Sequence, residues 1–152
     1  MILEQARRED WAEINRLAQQ VQALHADWHP EIYAKTEQPM PLARLKAYLK
    51  QESLYVVREG EKLLAYAVAV IRMQEGPVLT ARQVLDLQEL CVDEPQRGQG
   101  LGRELLGALE QLARDLGCTD LQLCCDPQNQ AARKLYESMG MSVTKLQYRK
   151  TL

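Results

Sequence analysis

No stretch of this chain is apolar for long enough to cross a membrane, since none approaches the ~20 consecutive apolar residues that a spanning helix needs. Residues 1–10 carry charge at Glu4, Arg7, Arg8, Glu9 and Asp10 where a signal peptide would be apolar. The expectation is therefore a cytoplasmic protein with no membrane partner. Excess positive charge is also lacking. Against 21 acidic residues stand 19 Lys and Arg, for a net charge of −2, so there is no basic field to hold nucleic acid. Any polyanion must be gripped locally, and a small cationic substrate suits the balance. The 4 cysteines, Cys91, Cys118, Cys124 and Cys125, form no C-x-x-C, which argues against both a zinc site and a disulfide framework. They read as reduced thiols that pack like small apolar residues. His25 and His29 lie four apart, but the glutamate of a zincin helix and a third ligand are missing, so no metal is expected.

What is present centres on Gln96-Arg97-Gly98-Gln99-Gly100-Leu101-Gly102, where glycines at alternate positions open onto a leucine-rich helix. Glycine lets a ligand approach the backbone, and the first amides of a helix have no intrahelical partner. The stretch therefore predicts an anion cradle, to which the helix dipole and Arg97 add positive charge. It lacks the Lys-Ser/Thr ending of a P-loop, and its spacing is not the G-x-G-x-x-G of a dinucleotide fold. Taken alone, the glycines also fit a strand-to-helix connection with no ligand.

At 152 residues the chain suits a single domain, 1–152. Met1 to Ala6 predicts a short strand. Asp10 and Glu13 predict an acidic capping box opening a helix on which Trp11, Ile14, Leu17, Ala18, Val21 and Leu24 share one face. Pro30 stops that helix at about His29. The polar and aromatic residues around the stop predict a recognition loop, with His29, Glu31 and Tyr33 as candidate substrate-binding residues. A helix over Leu42 to Gln51 follows, then a hairpin from Ser53 to Arg58 and Leu63 to Arg72, then a strand from Ala81 to Val92.

Strict alternation along that last strand puts Leu85, Leu87, Glu89 and Cys91 on one face and Asp86, Gln88, Leu90 and Val92 on the other. Glu89 is either a carboxylate on a solvated face or a buried one whose pKa rises toward that of a general base. The leucine-rich helix ends at Gly117, and Thr119 to Cys125 predicts a short strand, which makes Leu85 to Cys125 a βαβ crossover with parallel strands. After Asp126-Pro127-Gln128-Asn129, a helix from Gln130 to Met139 places Asn129, Ala132, Arg133 and Tyr136 on one face, directed at the C-terminal strand ends where ligands gather. Met141 to Tyr148 predicts a closing strand.

The strand Leu-Gln-Glu-Leu-Cys-Val, the Gln-Arg-Gly-Gln-Gly-Leu-Gly turn, and Asp126-x-x-Asn129-x-x-Ala132-x-x-x-Tyr136-x-x-x-Gly140 together resemble the GNAT superfamily of N-acetyltransferases. The resemblance covers Leu87 to Met141, and Met141 departs from it, since many members have an aromatic residue there. It implies an α/β (α+β) fold with a mixed, mostly antiparallel twisted sheet of about six to seven strands, helices on both faces and a central βαβ crossover. It further implies acetyl-CoA as co-substrate, its diphosphate held by amides of Arg97, Gly98, Gln99, Gly100, Leu101 and Gly102. The backbone of Leu90, Cys91 and Val92 would pair with the pantetheine arm. Asn129, with Ala132 and Arg133, would contact the cofactor, and Tyr136 would lie near its sulfur. A bulge that splays the strand from its neighbour is usual in the family and has no sequence signature here.

The implied reaction is direct acetyl transfer to a primary amine of a small molecule or protein, with Glu89 as base, Tyr136 as acid and a backbone amide of Leu90 to Val92 meeting the oxyanion. Two other readings stand beside it. An inactive acyl-CoA-binding regulatory module would need neither Glu89 nor Tyr136, and a nucleotide-binding domain would leave the Asn129-to-Tyr136 face unexplained. Exposed strand edges would allow a homodimer.

Overall fold

In the computed structural model, which describes residues 1–152, strands β1 (Glu4–Gln5), β2 (Leu54–Glu59), β3 (Lys62–Gly76), β4 (Leu79–Val92) and β5 (Asp120–Leu123) form one 5-stranded sheet in chain order. Every neighbouring pair is antiparallel except β4 and β5, which run parallel. A parallel pair cannot be closed by a tight turn, and α3 (Leu101–Asp115) supplies the crossover. The β3–β4 hairpin is longer than the turn residues at Gln74 to Pro77 suggest, because pairing continues to Gly76 opposite Leu79. No helix is long and apolar enough to cross a membrane.

The two faces of the sheet carry separate cores. Helices α1 (Trp11–Trp28) and α2 (Leu42–Lys50) bring Ile14, Leu17 and Leu45 onto Leu54, Val56, Tyr66 and Val68. On the other face α3 sets Leu105, Leu106 and Leu109 against Ala65, Ala67, Ala69, Leu85 and Leu87, with α4 (Gln130–Ser138) packing beside it through Tyr136. The chain has no Phe, so volume is filled by setting leucines of the helix over alanines of the sheet. Leu105 and Leu109 are fully buried, and shortening either to Ala would cost roughly 2–5 kcal/mol.

Three expectations are corrected. Asp10 does not cap α1: its backbone is already helical and its carboxylate accepts from the Arg58 guanidinium at 2.8 and 2.9 Å and from the Arg7 amide at 2.7 Å. Glu13 turns to Arg16 and to the Leu63 amide. A charged arginine across the sheet outcompetes a local amide for a carboxylate.

The strand over Met141 to Tyr148 does not form, so the sheet has 5 strands. Strand preference is a preference for a pleated neighbour, and residues 142–152 make no backbone hydrogen bond to any part of the chain.

The third correction concerns β4. Val68 pairs with Glu89 and Ala69 with Leu87, which leaves Gln88 opposite nothing, as a β-bulge. One inserted residue resets the alternation beyond it. Leu85, Leu87, Leu90 and Val92 therefore share the α3 face, while Glu89 and Cys91 join Tyr66 on the face toward α1.

Candidate active site

Pairing between β4 and β5 ends at Leu87 opposite Leu123, one residue before the bulge. Beyond that point the strands separate, and the backbone of Leu90, Cys91 and Val92 keeps its β3 partners while its other edge has no strand beside it. The wedge opens into a cleft of about 250 Å³ whose wall includes Glu89, Tyr136, Asn129, His25, Asp126 and Arg44. Cys124 and Cys125 line it where β5 ends.

The turn from β4 into α3 forms the second half of the site. The N–H groups of Gly98, Gln99, Gly100, Leu101 and Gly102 have no acceptor anywhere in the chain, and the first bonds of α3 come from Arg103 and Glu104 to the Gly100 carbonyl. Such a run of orphan donors at a helix start has the geometry that suits an anion. Its glycines serve two purposes. Gly98 and Gly100 have φ of 75° and 91°, which a side chain would strain, whereas a Cβ on Gly102 would come within 3.3 Å of Leu135 Cδ2, so that side chain of α4 would have to give by a few tenths of an ångström.

Helix α1 braces this turn. Gln20 donates to Asp93 at 2.8 Å and accepts from the Glu94 amide and the Arg97 guanidinium, each at 3.0 Å. Arg97 also donates to the Val92 carbonyl at 2.9 Å, so its charge sits between the wedge and the turn. Asp93 is 1% exposed. Burial alone would raise its pKa, but Arg16 at 2.8 Å, Gln20 and the nearby Lys62 hold the carboxyl down at about 2.

Glu89 accepts a hydrogen bond from the Tyr66 hydroxyl at 2.8 Å, leaving its second oxygen free. Burial pushes its pKa up, while Tyr66 and the positive charge of Arg44 pull against that rise. Tyr136, whose hydroxyl has no partner in the chain, is pushed up to about 12 by burial and by Cys125. Asn129 lines the cleft and also caps α4 by accepting from the Ala132 amide at 3.2 Å. Arg133 lies outside the cleft wall and reaches the Pro127 carbonyl at 3.5 Å.

The candidate substrate residues sit at the rim. His29 Nε2 is 2.6 Å from Asp126, Glu31 bonds Arg149, and Tyr33 packs beside the rings of His25 and His29. The histidine that lines the cleft is His25, whose pKa burial lowers. Sequence reasoning missed Tyr66, Gln20 and Asp93; it placed His25 in the recognition loop and Asp126 in the motif without giving either a role. Of the three missed, only Asp93 carried a signal, as an acidic residue directly following β4. No group of three or more His, Cys, Asp or Glu side chains could hold a metal ion.

Residues 18–141 match the Acetyltransferase (GNAT) family. The chain belongs to this family. Among its GNAT relatives, "N-acetyltransferase family 8 member 2" of Rattus norvegicus is 33% identical over 99 residues, 65% of this chain and 43% of that protein. "Uncharacterized N-acetyltransferase YycN" of Bacillus subtilis is 47% identical over 51 residues, 34% of this chain and 33% of that protein. The chain thus spans less than half the length of these relatives where it matches them. A crystal structure of a mutant of the BH1408 protein from Bacillus halodurans superposes with a TM-score of 0.94 at 29% identity, covering 100% of this chain and 99% of that one. A Trypanosoma brucei acetyltransferase shares the fold at TM-score 0.70 and 19% identity, with 99% of each chain covered.

Proposed function

We propose that this GNAT protein is an N-acetyltransferase that moves the acetyl group of acetyl-CoA directly to a primary amine of a small molecule or protein. The observation that carries the reading is the run of orphan amides from Gly98 to Gly102, at the end of the same strand whose separation from β5 opens the cleft lined by Glu89 and Tyr136. The residues fit the donor. A diphosphate matches Gly98 to Gly102, with Arg97 beside it, and an extended amide-bearing arm matches the free edge of Leu90 to Val92, as in strand addition. Asn129, Ala132 and Arg133 are assigned to the cofactor side, and His29, Glu31 and Tyr33 to the acceptor side. Acetyl-CoA, when bound, supplies the acyl group activated as a thioester.

The chain's own residues handle the protons. An alkylammonium of pKa near ~10 is no nucleophile until it loses its proton, and Glu89 accepts it, directly or through water. Its raised pKa suits that task, and the Tyr66 hydrogen bond fixes which oxygen is available. Tyr136, at about 12, keeps its proton on Oη and gives it toward the sulfur side of the wedge by proximity rather than acidity. An amide of Leu90 to Val92 is the donor assigned to the oxyanion. Direct transfer needs no nucleophilic side chain, which agrees with Cys91, raised to about 12 and packed against α1. Unpaired cysteines suit a cytoplasmic setting.

The test mixes protein, acetyl-CoA and a panel of amines and follows release of free thiol. Release that depends on the amine supports the proposal. Tight CoA binding without release would favour a regulatory module, and absence of CoA binding would sink the reading.

A further inference from the structure

Besides its thiols and phenols, the cleft wall carries four titratable or charged side chains, His25, Arg44, Glu89 and Asp126. Asp126 has both oxygens engaged, one by the Gln128 amide at 2.8 Å and the other by His29 Nε2 at 2.6 Å. Burial lowers the His25 pKa and so keeps that ring neutral at pH 7. Glu89 gives one oxygen to Tyr66 and leaves the other open. Arg44 is the one Arg or Lys on the wall, and its guanidinium makes no hydrogen bond in the chain and has no carboxylate within 4.0 Å.

That arginine stands where its own helix does not favour it. Arg44 lies in the first turn of α2, the end that the macrodipole makes positive, and no acid accompanies it there. Its direction is fixed by its neighbours. Leu45 is fully buried in the core, and Tyr48, one turn on from Arg44, donates to the Gln88 side chain at 3.4 Å, so this face of α2 lies over the bulge. The charge of Arg44 reaches Glu89, whose carboxylate it favours. A cation kept at the positive end of a helix with no partner breaks a local rule, and such breaks belong to sites where a ligand completes the arrangement.

This inference rests on the acetyl-transfer reading. We propose that the acceptor is an amino acid or a similar small amine bearing a carboxylate, and that Arg44 selects it. The guanidinium takes the carboxylate through paired N–H···O contacts, the amine faces the open oxygen of Glu89, and the remainder lies against Ala18, Val21 and Pro39. A polyamine would bring a second cation up to Arg44, and a lysine side chain of a protein has no carboxylate beside its amine. The net charge of −2 suits a cation, but at contact distance the free charges of the wall decide. Arg44 is not placed for the cofactor phosphates either, because it lies over Gln88, while the orphan amides follow β4 beyond Val92.

The test measures thiol release by the wild type and by Arg44→Gln with L-amino acids, their carboxamides and spermidine. The substitution should lower kcat/KM for the acids ~10–100-fold more than for the carboxamides, the worth of a hydrogen bond to a charged group. Effects through Glu89 are common to both acceptors and cancel in that ratio, as does the basicity of each amine. Acetyl-CoA affinity by calorimetry should not change. Equal losses for acids and carboxamides, a wild type that prefers spermidine to every acid, or a matching loss of acetyl-CoA affinity would overturn the proposal. Calorimetry of the same amino acids on CoA-loaded protein separates it from the catalytic reading. Binding that weakens at least ~10-fold in Arg44→Gln, with no thiol release from either protein, would uphold the role of Arg44 and sink acetyl transfer; thiol release indifferent to Arg44 would do the reverse.

Discussion

Replacing Tyr66 by Phe removes one oxygen from a residue that is 2% exposed and leaves the ring to fill its place. That oxygen donates to Glu89 at 2.8 Å, and a hydrogen bond to a charged group is worth ~1.5–3 kcal/mol. Because the bond favours the ionised carboxylate, its loss should raise the Glu89 pKa further, by about 1–2 units at 1.36 kcal/mol per unit. If Glu89 is the base, the acid limb of a kcat/KM pH profile, read by thiol release, moves to higher pH by that amount, and activity recovers at alkaline pH. Stability follows with a definite sign. A carboxyl whose folded pKa lies above its unfolded value favours the folded state at low pH, and that benefit is lost as pH rises through the folded pKa. Tyr66→Phe should therefore lose more stability at pH 8 than at pH 5 in urea titrations. A limb that stays in place, or that moves down, would refute Glu89 as the group whose ionisation governs the rate.

Tyr136→Phe should lower kcat on the order of 100-fold and leave acetyl-CoA affinity nearly unchanged, and an equal loss of affinity by calorimetry would make the hydroxyl a binding contact instead. Gly100→Glu places bulk and negative charge among the orphan amides at a φ of 91°, so CoA binding should weaken at least ~10-fold by calorimetry, and unchanged binding would refute the cradle. Asp93→Asn tests the brace. With a folded pKa of about 2 against 3.8, Asp93 contributes on the order of 2 kcal/mol that is present above about pH 4 and lost as pH falls through 2. The substitution should cost that much at pH 7 and little at pH 2, as measured by urea denaturation.

The half of the chain from β4 to α4 was legible because its signals are local. Glycines at a helix start, leucines at helical spacing and an Asx residue before Gln130 each act within a few residues of themselves. What escaped depends on distance along the chain. Gln20 is an unremarkable polar residue of α1 until the fold brings it to Asp93, Glu94 and Arg97, more than 70 positions away. Asp10 has the sequence of a cap and the partner of an ion pair, because Arg58 reaches it only after β2 is in place. The face of Glu89 was misassigned since nothing in Gln88 marks it as unpaired. Residues 141–148 have the composition of a strand, and composition does not say where a neighbour will be found.

The unpaired Gln88 makes the chemistry of this strand a matter of counting. Taking Gln88 into the ladder opposite a residue of β3 would change no letter of the sequence, yet it would turn Glu89 under α3 and send Leu90 toward Tyr66. The facing of positions 89–92 thus holds only while Gln88 stays out of the ladder. In families that share this arrangement, a gap placed one position away in an alignment would exchange the cleft-facing carboxylate for a core residue while the letters still matched.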